Sequence, residues 1–326
     1  MKVSICIPTF NQAQYVGQAI KSAFNQSLVP FEIIVSDDCS TDDTSDVLKA
    51  LAEEIPILKI ISQEKNLGIA QNTDSCLRSA SGDFVVRLDS DDYLAGEYVK
   101  TLANLLNDQP LAGYAHGAVQ EINQFGAHTK IRKLYRQPGF QHAEEALKAA
   151  VLGYRVAANI IMFRKDALQK VNYITGRPNY VEDFHLSATL ASAGYGNIYT
   201  EDVLSFYRVW VDTGKVRQRR KLMEIIGLYK VFEEVLVPAF ISRDWNLDQL
   251  NQSRSNLASR QSDCLGWDVY TPEEKLELKN ALNQLSSSNK ALSYAWLNMN
   301  GYGKLANSIF NIKNSSKALI KSLIRR

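Results

Sequence analysis

Asp89-Ser90-Asp91-Asp92 places three carboxylates within four residues. Such a cluster binds hard divalent cations such as Mg²⁺ or Mn²⁺ through oxygen. A cation held there bridges carboxylate to phosphate and takes up charge on a departing diphosphate. The same residues also suit a plain turn with an Asp helix cap ahead of Tyr93. Their setting weighs for the cation. They follow Phe84-Val85-Val86-Arg87-Leu88, which reads as a buried strand, and close carboxylates at a buried strand end repel one another unless a cation joins them.

The acidic cluster is the last of four polar strand ends. Val3–Ile7 reads as a strand and runs into Pro8-Thr9-Phe10-Asn11. Phe31–Val35 runs into Ser36-Asp37-Asp38-Cys39-Ser40-Thr41-Asp42-Asp43. Leu58–Ile61 leads to Asn66-Leu67-Gly68, and Phe84–Leu88 to Asp89. Helical spacing falls between them: Gln14–Asn25, a helix from about Asp43 with Val47, Leu48 and Leu51 inward, and Ala70–Ala80. Strands alternating with helices make βαβ units and a parallel sheet with right-handed crossovers and helices on both faces. Ligands of such sheets sit beyond the carboxyl ends of the strands, where all four polar segments collect. At this rim Asp38 can accept a hydrogen bond from a nucleobase imide, Thr9 or Phe10 can line a base pocket, and Gly68 allows close backbone approach. Taken singly, Ser40–Thr44 is also a helix cap and Asn66-Leu67-Gly68 a tight turn.

Further strands are predicted near Ala112–Val119, Ile160–Phe163 and Leu204–Val209. A helix opens at Val181-Glu182-Asp183, where two acids suit an N-terminus. Beyond about Arg217 the pattern is helical over Leu222–Phe240, Leu247–Cys264, Pro272–Leu285 and Lys290–Met299. This divides the chain into a sheet-containing domain, 1–215, and a helical region, 216–326. The first subdivides into halves, 1–115 and 116–215.

The bulk properties exclude several classes. Of 326 residues 45% are hydrophobic and 22% charged, an ordinary globular balance. A formal net charge of +2 does not mark a nucleic-acid binder. Cys6, Cys39, Cys76 and Cys264 form no CxxC pair and only four histidines occur. A zinc site is not expected, and scattered cysteines suit a reducing compartment. No run of about 18 apolar residues suggests a membrane-spanning helix, so a cytoplasmic location is expected, free or peripheral at the inner face of the plasma membrane.

Taken in order, Pro8-Thr9-Phe10-Asn11, Asp37-Asp38-Cys39-Ser40-Thr41-Asp42, Asn66-Leu67-Gly68 and Leu88-Asp89-Ser90-Asp91-Asp92 resemble the signature of family 2 glycosyltransferases of the bacterial polysaccharide and O-antigen type. The resemblance is strong over about 1–115, extends to about 210 and stops there. It implies the GT-A fold, a Rossmann-like, mainly parallel mixed sheet, and single-displacement transfer with inversion. It further implies that Thr9, Asp38 and Asp89 contact the nucleoside, that Asp91 with Asp89 ligates Mn²⁺ or Mg²⁺, and that Ser90 and Asp92 lie against metal or donor. Pro8, Phe10, Asn11, Asn66 and Gly68 complete the donor pocket. Glu182-Asp183 matches the family's acidic pair, which makes Asp183 the base that deprotonates an acceptor hydroxyl. Two departures stand out. Cys39 occupies a place where glycine or asparagine is usual. Tyr207-Arg208-Val209-Trp210 lacks the histidine that can approach the metal, which shifts the expected diphosphate contacts toward Arg208, Lys215 and Arg217.

The resemblance implies a nucleotide-sugar donor, UDP-linked by preference with dTDP-linked rhamnose also open, and a glycan or lipid-linked glycan acceptor. A nucleotidyltransferase is disfavoured because Thr9–Tyr15 has neither glycine nor a basic residue for a phosphate loop. A non-catalytic nucleotide-binding module is disfavoured by intact Asp91 and Asp183. Residues 304–326 carry six basic and no acidic residues with apolar positions at helical spacing. They suit either an anionic membrane surface or packing, including a homodimer.

Overall fold

The computed structural model describes residues 1–154, 156–211 and 215–309. It forms two compact units, Met1–Val211 and Asp212 onward; the sequence pattern had placed the boundary at 215. The first unit runs β1 (Val3–Thr9), α1 (Ala13–Phe24), β2 (Glu32–Asp37), α2 (Thr44–Glu54), β3 (Leu58–Ser62), α3 (Ile69–Arg78), β4 (Phe84–Arg87), β5 (Tyr93–Leu94), α4 (Tyr98–Asp108), β6 (Ala112–Asn123), β7 (His128–Arg132), β8 (Gly139–Gln141), α5 (Ala143–Ala150), β9 (Ile161–Arg164), α6 (Lys165–Lys170), α7 (Glu182–Ser192) and β10 (Gly196–Val209).

Strands β1, β2 and β4 are buried at every position, which is why they read as continuous apolar runs. The period-2 alternation sorts their side chains between two layers. Ile5, Ile7, Val35 and Val86 face Val16, Ile20, Leu48 and Leu102 of α1, α2 and α4. Cys6, Ile34 and Val85 face Cys76, Leu77, Leu186 and Leu190 of α3 and α7. Helices therefore cover both faces, as expected.

The strands lie in the order β3-β2-β1-β4-β9-β6-β10-β5, with β7 on β6 and β8 on β10. The first four are mutually parallel, and Thr9, Asp37 and Ser62 are register partners at one edge. The order reverses at β1, with β2 on one side and β4 on the other, the kind of switch point where open sheets bind ligands. Beyond β4 the sheet is mixed: β9 is antiparallel to both β4 and β6. The last strand starts earlier than its apolar run suggested. Polar Thr200-Glu201-Asp202 hides its first half, and the pairing with β6 shifts register there.

The second unit is helical: α8 (Val216–Arg219), α9 (Lys221–Lys230), a π-helical turn (Val231–Leu236), α10 (Val237–Ile241), α11 (Asp248–Gln261), a 3₁₀ turn (Ser262–Gly266), α12 (Pro272–Leu285) and α13 (Asn289–Met299). The single helix expected over Leu222–Phe240 is instead broken by the π turn. Pro238 lacks the N–H that would continue the ladder. Thr271 and Glu274 cap α12 reciprocally. No described helix is long and apolar enough to cross a membrane. Of the basic segment 304–326, residues 310–326 lie outside the described residues.

The strand ends turn sharply. Gly68 takes a left-handed φ of 82°, as a glycine can. Asn11 (52°), Cys39 (62°) and Val181 (71°) adopt the same region with side chains present. Asparagine tolerates it, whereas a cysteine or a β-branched valine is strained there. Cys39 is exposed and free, so its side chain contributes little in return. Cys39→Gly is expected to raise the unfolding free energy of the first unit by about 1 kcal/mol, read as an increase of a few degrees in melting temperature; an unchanged or lowered value would show the turn to be unstrained.

Candidate active site

Arg87, the last residue of β4, is 4% exposed. Its Nε donates to Asp89 Oδ1 at 3.1 Å and its Nη1 to Glu182 Oε1 at 3.2 Å. One guanidinium thus joins the acidic cluster to the acidic pair at the start of α7. Burial alone would favour the neutral guanidine. The charges of Asp89, Glu182 and Asp183 outweigh it and hold Arg87 firmly protonated.

The rest of the cluster is gripped by the end of β10. Asp92, 2% exposed, accepts the Arg208 backbone N–H at 2.7 Å. Asp91 Oδ2 accepts Trp210 Nε1–H at 2.6 Å, and its backbone oxygen accepts Arg208 Nε–H at 2.8 Å. Trp210 therefore fills the place where a metal-approaching histidine was missing, and it serves as a hydrogen-bond donor to Asp91. Burial raises the Asp91 carboxyl above its usual range against that hydrogen bond, and the Asp89 charge adds to it. Asp92 is raised well above its usual range by burial, then by the charges of Asp91 and Asp89. The crowding anticipated from the sequence is present.

Asp89 and Asp91 present carboxylate oxygens of the kind a hard divalent cation takes one or two at a time; among the described residues no group of three or more His, Cys, Asp or Glu is placed to hold a metal ion.

The second acidic segment is held under strain. Val181, the residue before α7, has φ 71°, and such strain in a β-branched residue clusters at functional sites. Arg177 anchors the same region through His185 Nδ1 at 2.6 Å and Thr189 Oγ1 at 2.8 Å. Burial, then the Asp183 charge, push Glu182 up to about 7 against the pull of Arg87. Asp183 is half-buried; burial raises its carboxyl while the Arg87 charge opposes the rise. Phe184 N–H donates to its Oδ1 at 3.1 Å.

Across the switch point the other strand ends are stitched to one another. Asn11 N–H donates to Ser40 Oγ at 2.9 Å, and Asn11 Oδ1 accepts from Thr41 N at 2.8 Å. Asn66 Oδ1 accepts the Gly68 N–H at 3.1 Å. Asn72, which the sequence did not single out, holds Ser36 through both its side-chain atoms. Pro8 is buried beside Ser36 in the β1–β2 register, Ser90 is buried, and Phe10 is exposed. Thr9 is 3% exposed, and its Oγ1 has no hydrogen-bond partner among the described residues, an unmet need a ligand can satisfy.

Two residues expected at the donor have partners within the protein. Asp38 is 2% exposed, and its two oxygens accept the Leu67 and Gly68 N–H groups at 2.7 and 2.9 Å. It ties the β2 end to the turn after β3, and a nucleobase would have to share those oxygens. Arg208 is buried rather than free for a diphosphate. Beyond its bonds to Asp91 and Asp92, its Nη1 donates to the Asn123 and Gln124 carbonyls and its Nη2 to Gln18 Oε1, with Tyr15 packed on the guanidinium at 4.5 Å. Those neighbours commit it to holding the cluster. Lys215 and Arg217 belong to the second unit.

The sequence profile of the group described as glycosyl transferase family 2 matches residues 4–171, more than half of the chain. The chain belongs to that family. A Campylobacter jejuni GalNAc(5)-diNAcBac-PP-undecaprenol beta-1,3-glucosyltransferase is 40% identical over 116 residues, 35% of this chain and 36% of the relative. A Staphylococcus aureus poly(ribitol-phosphate) beta-N-acetylglucosaminyltransferase, TarS, is 33% identical over 111 residues, 33% of this chain and 19% of the relative. The chain spans a minor part of either relative's length. In fold it resembles a crystal structure of S. aureus TarS 1–349 in complex with UDP, with a TM-score of 0.58 at 18% identity, covering 93% of this chain and 92% of that one. A Pyrobaculum calidifontis mannosyltransferase in complex with GDP-Man and Mn²⁺ gives a TM-score of 0.51 at 18% identity, covering 95% and 87%. The GT-A architecture read from the strand-end motifs is thereby shown, with a helical region after it. The family match includes Asp89 to Asp92 and ends before Glu182.

Two features of this family 2 member escaped sequence reasoning. Trp210 was noted only as a missing histidine, and Arg87 only as part of a strand. The available signal for Arg87 was a charged residue inside an otherwise apolar buried run, which requires a counter-charge. Removing one partner of a buried ion pair typically costs about 3–5 kcal/mol. Arg87→Met is expected to lower the unfolding free energy in urea by that order, with Arg87→Lys recovering part of it; a loss below about 1 kcal/mol would show that the carboxylates do not need the bridge.

Proposed function

We propose that this chain is an inverting glycosyltransferase that moves a sugar from a nucleotide diphosphate-sugar to a hydroxyl of a glycan acceptor, polymeric or lipid-linked. The observation that carries this reading is the Arg87 bridge, which brings a donor-type acidic cluster and a raised acidic pair to one rim of the sheet. UDP-linked sugars are the preferred donors: the fold matches a relative crystallised with UDP, and dTDP-linked sugars share the same imide edge.

In this reading Thr9 Oγ1 and Phe10 meet the nucleoside between β1 and β2. Asp89 and Asp91 would hold a divalent cation, which neutralises the diphosphate when bound. Asp92 and Trp210 fix the orientation of that loop. Asp183 accepts the proton of the acceptor hydroxyl as its oxygen attacks the anomeric carbon from the face opposite the diphosphate. The new C–O bond forms while the bond to the phosphate oxygen breaks, and the nucleoside diphosphate leaves with the electron pair. One displacement inverts the anomeric centre. Burial, which raises Asp183, makes its carboxylate a stronger base than an exposed one. Glu182, shared with Arg87, keeps the pair in register with the donor loop.

A general base contributes typically about 10²–10⁴-fold to turnover. In a screen of UDP- and dTDP-sugars with Mn²⁺, Asp183→Asn is expected to retain nucleotide affinity and lose that factor in turnover. Near wild-type turnover would remove Asp183 from the mechanism, and absence of nucleotide binding to the wild-type protein would remove the reading as a whole.

A further inference from the structure

A cavity of about 350 Å³ opens where the segment after β7 meets β8 and α5. Lys133, Tyr135, Arg136, Gln141 and Tyr154 contribute its polar lining, and no acidic residue lines it. It stands beside the acidic pair: the Tyr154 ring lies 6.0 Å from that of Phe184, the residue after Asp183. Tyr154 Oη donates to Asn159 Oδ1 at 3.3 Å.

Arg136 is the centre of this lining. Its Nη2 donates to Asn197 Oδ1 at 2.7 Å and its Nη1 to the Gly139 carbonyl at 3.3 Å. The guanidinium also rests 5.4 Å from the Tyr199 ring centroid. All of these partners are neutral. Its Nε is buried without a partner, and Arg136 forms no ion pair among the described residues. A partly buried guanidinium whose hydrogen-bond partners are all neutral leaves its charge without a direct counter-ion; burial pulls Arg136 below its usual range, opposed by Tyr114, Tyr199 and Glu145 nearby. The group is nonetheless held in place. Asn197, 3% exposed, is fixed in turn by its Nδ2 bond to Gln141 Oε1 at 3.2 Å, which leaves the Gln141 NH₂ as a donor. Among the described residues Lys133 pairs with Glu201, at 3.4 Å on the surface, a pairing worth little. The arrangement is a preorganised set of donors with unspent positive charge.

We propose that this cavity is the acceptor subsite, built for an anionic group of the glycan, a phosphate or a sugar carboxylate, seated by Arg136 with Lys133 at its mouth. Anchoring the acceptor there places its adjoining sugar against Asp183. A phosphate-bridged chain and a uronate-bearing chain present the same charge, and the two are told apart by titration. The inference rests on the glycosyltransferase reading for the word acceptor, but not for the binding itself.

The test is an NMR titration of the full chain saturated with UDP, so that the donor site is filled, using glucose 1-phosphate, glucuronic acid and glucose as probes. The wild-type protein is expected to bind one or both anionic probes and to bind glucose at least tenfold more weakly, and Arg136→Gln to weaken the anionic probe about tenfold or more. Preference for glucose 1-phosphate identifies a phosphate in the acceptor, and preference for glucuronic acid a carboxylate. Binding of neither anionic probe, or equal binding of glucose, overturns the proposal, as does unchanged affinity in Arg136→Gln. If Arg136→Gln fails to fold, the half-exposed Lys133→Gln carries the same comparison, with a severalfold loss expected and no change contradicting it. Failure of UDP to bind while an anionic probe still does would fault the donor reading and leave this subsite standing.

Discussion

Two acidic segments far apart in the chain, the cluster at Asp89 and the pair at Glu182, sit at one rim because a single buried guanidinium lies between them. Like charges brought together in a low-dielectric setting repel strongly; burial raises the carboxyls of Asp91, Asp92, Glu182 and Asp183, and a neighbouring carboxylate adds to each rise. Arg87 opposes the rise at Glu182 and forms an ion pair with Asp89 on its other side. It can do so because β4 is central in the sheet and ends where α7 begins, so the side chain that closes the strand also reaches the helix start. The strain at Val181 and the anchoring of α7 by Arg177 serve the same placement.

A second set of bonds controls the shape of the cluster. The end of β10 supplies a backbone N–H to Asp92, an indole N–H to Asp91 and an arginine that grips the loop from outside. The role expected of a metal-approaching histidine is thus replaced by a donor that turns one Asp91 oxygen. Arg208, expected at the diphosphate, instead supports the carboxylates. On the opposite side, Asp38 and Asn72 spend their polar atoms joining strand ends. Those bonds join the strand ends to one another, and Thr9 Oγ1 is buried beside them without a partner among the described residues.

The part of the fold that was legible in the sequence is the part whose signals are local. The first four strands are buried on both faces and read as apolar runs, and the polar segments after them mark their carboxyl ends. Where tertiary pairing decides, the sequence was mute. The antiparallel insertion of β9 between β4 and β6 leaves no periodic trace. The first half of β10 is disguised by Thr200-Glu201-Asp202, and the π turn ahead of Pro238 looks like ordinary helix. The site shows the same division. Asp89 and Asp91 could be proposed from residue type and position at a strand end, and Asp183 from the family resemblance at a helix start. Arg87, Trp210 and Arg136 could not, since their meaning lies in partners 60 to 120 residues away. Asp38, expected at a nucleobase, accepts the Leu67 and Gly68 N–H groups, because a carboxylate's orientation is set by the nearest backbone donors and not by its type.

The central claim of the proposed mechanism is that Arg87 couples the Asp89 loop to Asp183, the proposed base, electrostatically. The pH dependence of transfer in wild type and in Arg87→Gln, measured where both are folded, tests it most directly. The base must be ionised to act, so activity falls as pH drops through the raised range of the Glu182–Asp183 pair, which titrates as a unit, with Glu182 near 7. Removing an opposite charge within a few ångströms raises a carboxyl by about 1–3 units, so the acid limb of Arg87→Gln is expected to move up by at least about one unit. A limb at the wild-type position would contradict the account.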